Sequence, residues 1–276
     1  MRNIFKLLTL VLILITNNLD AAALKLLKST TFGDAKINSY TSDSDVTIYS
    51  FIDSFVYAYI IETSKSLIII DTLTSKVSSA NLLKFALTLN KPINSVFLTH
   101  SHPDHIGGLE TFATYKIYAL EETKIATNKY LNNDFNIIVL KEGEQIKVDN
   151  LFLQAENIRN AHIDSHLILS IPKISTIVSG DLVVKDFIKQ HPLVKDFDAY
   201  LKGLQYLDSK TNDFDNLLTG HTEITNTNKI KDNIEYIQIG KTQYEKSSSP
   251  EDYIKKMHQF YPANRSDDLQ IKFLTK

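Results

Sequence analysis

The chain has 276 residues, 43% of them hydrophobic, and a formal net charge of −2. That length and composition suit one large folded domain and exclude a disordered chain, while the balanced charge, without a long basic run, excludes a nucleic-acid binder. Cysteine is absent, which removes thiolate metal ligands and disulfides together.

Residues 1–23 have the three parts of a secretory signal peptide: Arg2 and Lys6, the apolar run LLTLVLILIT (7–16), and Ala21, Ala22 and Ala23. The apolar run is short for a bilayer span. Cleavage after Ala23 is therefore expected, with an uncleaved membrane anchor as the alternative. The mature chain, residues 24–276, then carries −3, is free of the membrane, and is periplasmic or secreted.

Consecutive strands are expected at 46–52 (VTIYSFI), 55–62 (FVYAYIIE) and 66–72 (SLIIIDT), all rich in Ile, Val and Tyr. The pattern over 76–89 predicts a helix, with Leu82, Leu83, Phe85, Ala86 and Leu89 on one stripe and Pro92 beyond its end. Then come a short buried strand at 95–100, a strand at 116–120, a polar helix to about Leu131, and a strand at 136–140. The run 144–157 reads as a hairpin turning at Asp149 and Asn150. Strands follow at 166–172, 174–180 and 216–221, with a helix over 194–207 between the last two. The tail from Asn228 reads as helical, broken at 247–250. Strands alternating with helices, and no repeat or linker, indicate one domain of sheets covered by helices.

Three of the eight histidines fall in one short stretch, THSHPDHIGG at 99–108: His100, His102 and His105, with Asp104 among them. A solvated polar loop is the plain alternative, but an apolar strand before the stretch and Pro103, Gly107 and Gly108 within it predict a built turn. His162, Asp181 and His221 also fall at strand ends or junctions. Four segments thus deliver metal-ligand residue types where loops of α/β proteins build sites. Histidine with carboxylate suits zinc first, iron or manganese second.

On these residues the chain resembles the metallo-β-lactamase superfamily. HxHxDH (100–105) is the superfamily's signature, and NAHIDSHLILSIPKISTIVSGDLVV (160–184), LLTGH (217–221) and IIIDT (68–72) resemble its later and earlier segments in order. The resemblance covers roughly 40–235. It implies an α/β, four-layer αββα sandwich, the metallo-β-lactamase fold, and a cofactor of two divalent metal ions. His100, His102 and His162 would hold one metal, Asp104, His105 and His221 the second, and Asp181 would bridge them; Asp71 would support the ligand loop. The implied activity is metal-dependent hydrolysis of a small-molecule ester, thioester, lactone or amide, with Asp104 as catalytic proton carrier.

His102 stands where flavo-diiron relatives carry a carboxylate, which favours hydrolysis over redox chemistry. Asp181 stands where one β-lactamase group has cysteine, which favours general hydrolases. Zinc β-lactamase activity, a mononuclear-iron persulfide dioxygenase and a non-catalytic metal binder remain alternatives. His166 reads as a strand start or a pocket residue, His191 as a bystander ten residues past Asp181 with a place in a substrate loop as the alternative, and His258 as surface. The aromatics of 46–60 read mainly as core, with a wall for an acyl chain as the other use. Oligomeric state is not legible.

Overall fold

A computed structural model describes residues 24–42, 45–185 and 194–261. The expected signal segment and His191 lie outside the described residues. Among the described residues fourteen strands form two sheets. The eight-stranded sheet runs in sequence order: β1 (Lys25–Phe32), β2 (Ala35–Thr41), β3 (Thr47–Asp53), β4 (Val56–Glu62), β5 (Leu67–Ile70), β6 (Ile93–Phe97), β7 (Ile117–Ala119) and β8 (Ile137–Val139). The six-stranded sheet has β14 (Thr225–Asn226), β13 (Asn216–Thr219), β12 (Thr176–Gly180), β11 (Ser165–Ile171), β10 (Leu151–Arg159) and β9 (Gln145–Val148) in that spatial order.

The helices are α1 (Lys76–Thr88), α2 (Pro103–Ile106), α3 (Glu121–Leu131), α4 (Phe197–Asp208), α5 (Lys229–Glu245) and α6 (Pro250–Phe260). Local chemistry sets their starts. Ser75, Asp196 and Ser249 cap α1, α4 and α6 by accepting from backbone N–H groups three residues on. Among the described residues no helix is long and apolar enough to cross a membrane.

Continuous apolar runs make the strands because each sheet is covered on both faces. In β5, Ile68 and Ile70 point into the core between the sheets, while Leu67 and Ile69 point to the core under α1. In β11, Leu167, Leu169 and Ile171 face the first sheet, and Ile168 faces the core shared with α4, α5 and α6. The layers are therefore helix, sheet, sheet, helix, the expected αββα sandwich.

The expected elements form, with shifted ends. The strand expected through His100 stops at Phe97, and the one expected through His221 stops at Thr219, so both histidines sit in the loops just beyond. The β1–β2 hairpin had no expectation in the sequence. Seven of the eight residues of β1 are exposed, so it carries none of the inward–outward alternation that reveals a strand.

Two parallel pairings fix the site. β5 pairs in parallel with β6, and β12 with β13. Parallel neighbours end at the same edge, so their following loops converge there. Backbone bonds then join the two sheets at this edge: Leu167 N–H donates to Thr99 O at 2.7 Å, and Tyr57 N–H to Gly220 O at 2.8 Å.

Candidate metal centre

Asp71 leaves β5 at φ +59°, a conformation Asp tolerates better than most residues but still uncommon. The twist aims its carboxylate across the loop. Oδ1 accepts from Thr99 N–H at 2.8 Å, and Oδ2 from Thr99 Oγ1 at 2.8 Å and from His105 Nδ1 at 2.9 Å. Gly107 lets the following turn close down: a Cβ there would lie 2.0 Å from Thr74 O. Thr72 N–H and Oγ1 both donate to His105 O, at 2.8 and 3.0 Å.

The structure brings all seven expected residues together. His100, His102, His162 and Asp181 form one group, and Asp104, His105 and His221 a second. Within each group one ligand-type atom per residue lies within 4.8 Å of the others. The two groups meet at Asp181. Its Oδ2 lies 3.0 Å from His221 Nε2, 3.4 Å from His162 Nε2 and 3.5 Å from His100 Nε2. Its Oδ1 lies 3.3 Å from His105 Nε2. Gly220 makes room for this carboxylate: a Cβ would lie 1.9 Å from Asp181 Oδ1. Asp104 Oδ2 stands 3.3 Å from His221 Nε2.

The outward nitrogens assign the tautomers. Thr99 has one hydroxyl hydrogen; with Asp71 taking it, Thr99 Oγ1 accepts from His100 Nδ1–H at 3.0 Å. His221 Nδ1 donates to Phe55 O at 3.0 Å, and His105 Nδ1 to Asp71. In the neutral ring each Nε2 is then a bare lone pair turned inward. Of these, His105 Nε2 and His221 Nε2 stand 3.4 Å apart, and His102 Nδ1 lies 3.0 Å from His100 Nε2 and 3.1 Å from His162 Nε2. Lone pairs facing each other repel unless a cation sits among them. Tetrahedral nitrogen ligands about 2.0–2.1 Å from zinc lie roughly 3.3 Å from one another, so the donor set fits a divalent metal.

The electrostatics agree. Burial pushes His100 well below its usual range and His102 down to about 3. Burial alone would raise the Asp181 carboxyl, but His221, His105 and His100 outweigh it and hold Asp181 well below its usual value. Burial opposes a charge on His105 too, yet Asp181 and Asp71 together lift it well above the ordinary histidine range.

His166 lies at the start of β11, its second residue after Ser165, and it is also packed against the site, its ring 4.7 Å from that of His100. The aromatic run divides. Phe51 and Tyr59 are core, whereas Phe55 is exposed and stacks on His221 with ring centres 5.6 Å apart. His258 lies half-buried on α6 and belongs to neither ligand group. Sequence reading gave no role to Thr99 beyond turn shaping. It missed the Phe55 carbonyl altogether, because a backbone oxygen leaves no trace in residue type.

Residues 52–226 match the model of the Metallo-beta-lactamase superfamily. The chain belongs to that superfamily. Among curated proteins it is 28% identical over 127 residues to an atrochrysone carboxyl ACP thioesterase of Claviceps purpurea, covering 46% of this chain and 39% of that one. It is 23% identical over 167 residues to the metallo-beta-lactamase IND-1 of Chryseobacterium indologenes, covering 58% of this chain and 69% of that one. Solved structures with the same fold include metallo-beta-lactamases from Pontibacter korlensis (TM-score 0.62, 17% identity, 78% of this chain and 99% of that one) and Erythrobacter litoralis (TM-score 0.63, 14% identity, 76% and 99%). These superfamily relatives are hydrolases, and the two His/Asp groups of this chain are candidate metal sites of the same general class.

Proposed function

We propose that the protein is an exported dinuclear-metal hydrolase, zinc the first-choice metal, that cleaves a small ester or thioester, with lactone and amide carbonyls in the same reach. The reading is carried by Asp181, a buried carboxylate whose two oxygens face both groups of imidazole lone pairs. His100, His102 and His162 would hold one cation and Asp104, His105 and His221 the other, with Asp181 between. Such a pair, when bound, supplies a water of lowered pKa and Lewis-acid polarisation of a carbonyl.

The chain's own residues do the rest. Thr99, Asp71 and the Phe55 carbonyl orient three rings so that the donor atoms need no rearrangement. Burial of His100, His105 and Asp181 keeps bulk water from screening the charges. Asp104, only partly buried on the open side, carries the attacking water's proton to the leaving group on its carboxylate. The thioesterase relative supports the thioester substrate class, and IND-1 supports β-lactams as the second reading. Export rests on the three-part pattern of residues 1–23.

Metal-loaded protein tested on esters, thioesters, lactones, phosphodiesters and nitrocefin separates the readings. Thioester or ester turnover, lost to a chelator and restored by zinc, is the expected result. Turnover of nitrocefin alone selects the β-lactamase reading. A single tightly bound iron by elemental analysis selects the dioxygenase, and two bound ions with no turnover select a metal-binding protein.

A further inference from the structure

Asp181 hangs from a short segment, 179–184, that leaves β12 through Gly180 at φ +47°. This segment lies between the sheet edge and the outer helices, away from solvent, so each of its peptide groups needs a protein partner. Backbone bonds satisfy some of them, Leu182 N–H to Ser179 O at 3.1 Å and Gly220 N–H to Gly180 O at 3.0 Å, and three fully buried side chains from three elements reach others. His166 on β11 donates from Nε2 to Ser179 O at 3.2 Å. Tyr200 on α4 donates its hydroxyl to Leu182 O at 3.0 Å, with Asp181 O also in reach at 3.3 Å. Asn233 on α5 accepts from Val184 N–H at 2.9 Å and donates from Nδ2 to Val184 O at 2.8 Å. All three residues are 0% exposed.

Packing by itself does not ask for these polar groups. Tyr200 shares the buried face of α4 with Gly203, Leu204 and Leu207, and a phenylalanine ring would fill the same space. The hydroxyl is the part that apolar packing leaves unexplained. It acts as a donor here, because both atoms it reaches are carbonyl oxygens, which can only accept. Asp181 must meet four imidazole nitrogens at 3.0–3.5 Å from a single side chain. A small rotation of its peptide would pull the carboxylate away from several of them at once.

We infer that Tyr200 is a positioning residue for Asp181: its hydroxyl, with His166 before it and Asn233 after it, fixes the direction in which the carboxylate enters the metal centre. The role rests on the two-metal reading and extends it to a residue on an outer helix that touches neither metal nor substrate.

The test is a Co2+ titration of the full-length protein followed by its visible absorption, beside far-UV circular dichroism. Tyr200→Phe should weaken Co2+ binding about ten- to a hundredfold and alter the spectrum, with secondary structure intact. Tyr253→Phe, which removes another buried phenol in the same apolar core but on α6, should leave the titration as in wild type. Should Tyr200→Phe fail to fold, Asn233→Leu carries the same test at the other side of the turn, on a side chain bonded to Val184 and Lys229 and to none of the ligand residues. Wild-type Co2+ affinity and spectrum in Tyr200→Phe overturn the role of Tyr200 alone, as does an equal loss in Tyr253→Phe. A wild-type protein that takes up no Co2+ overturns the two-metal reading itself, and the role of Tyr200 with it.

Discussion

Two acidic side chains belong to the six-stranded sheet and are almost completely hidden from water: Glu156 on β10, 2% exposed, and Asp181 at the exit of β12, 3% exposed. Glu156 is answered by one of the chain's own cations, since Lys210 Nζ donates to its Oε1, with Tyr206 packed against the ammonium, 4.9 Å from ring centre to Nζ. Asp181 faces four imidazoles whose outer nitrogens are largely committed elsewhere. The first carboxylate is balanced within the fold. The second is balanced only when something positive is added, a proton on His105 or a metal. The difference separates a charge that the fold itself pairs from a charge left for the candidate metal site, although both are equally buried.

Breaking Asp181 should have the largest effect. Asp181→Asn keeps the shape and removes the charge between the two ligand groups. Metal occupancy and hydrolysis should fall by more than the roughly hundredfold that supporting residues cost, with far-UV circular dichroism little changed. If elemental analysis and turnover stay near wild type, the bridging role is wrong.

Breaking the other carboxylate's partner should give the opposite phenotype. Lys210→Met strands Glu156 in the core and should destabilise the protein by about 3 kcal/mol, read from urea unfolding, with metal content unchanged. The double variant Glu156→Leu, Lys210→Met should recover most of that loss, since removing both charges also removes both desolvation costs. Metal loss in Lys210→Met at full folding would erase the contrast between the two sites.

The smallest effect sharpens the comparison at the far end of the sandwich. Asp149, at φ +54° in the β9–β10 turn, accepts from Thr63 Oγ1 at 2.5 Å and Ser66 Oγ at 2.6 Å in the turn before β5. These two bonds, Ser66 first, lower its carboxyl below the usual 3.8. A pKa lowered by folding stabilises the native state above the unfolded value, and the contribution disappears as pH falls through the folded one. Asp149→Asn should therefore lower Tm slightly at neutral pH. The gap to wild type should stay level down to about pH 5 and narrow only in stronger acid. A gap that widened on acidification would contradict the assignment.

Much of this molecule was legible before the fold was known. The run LIII at 67–70 announced a strand covered on both faces, and the structure sends its alternate residues into two different cores. The stretch 100–105 announced a candidate metal site, because imidazoles and a carboxylate so dense on a built turn need a partner, and the structure gathers them with His162, Asp181 and His221. The exposed β1 was illegible, since nothing in its residue order records which face is covered. Tyr200 and Asn233 were illegible as well, for they sit in amphipathic helices where Tyr and Asn have many ordinary uses.

By itself the sequence determined which chemical groups are available: seven ligand-type side chains, no thiol, and the strand ends that carry them. Only the tertiary structure decided that Asp181 stands between the two groups and that Asp71, Thr99 and the Phe55 carbonyl turn the rings inward. Residue type and spacing encode local geometry. The meeting of β5, β6, β12 and β13 at one edge depends on two parallel pairings, β5 with β6 and β12 with β13, and on the 2.7 and 2.8 Å backbone bonds that join the two sheets there.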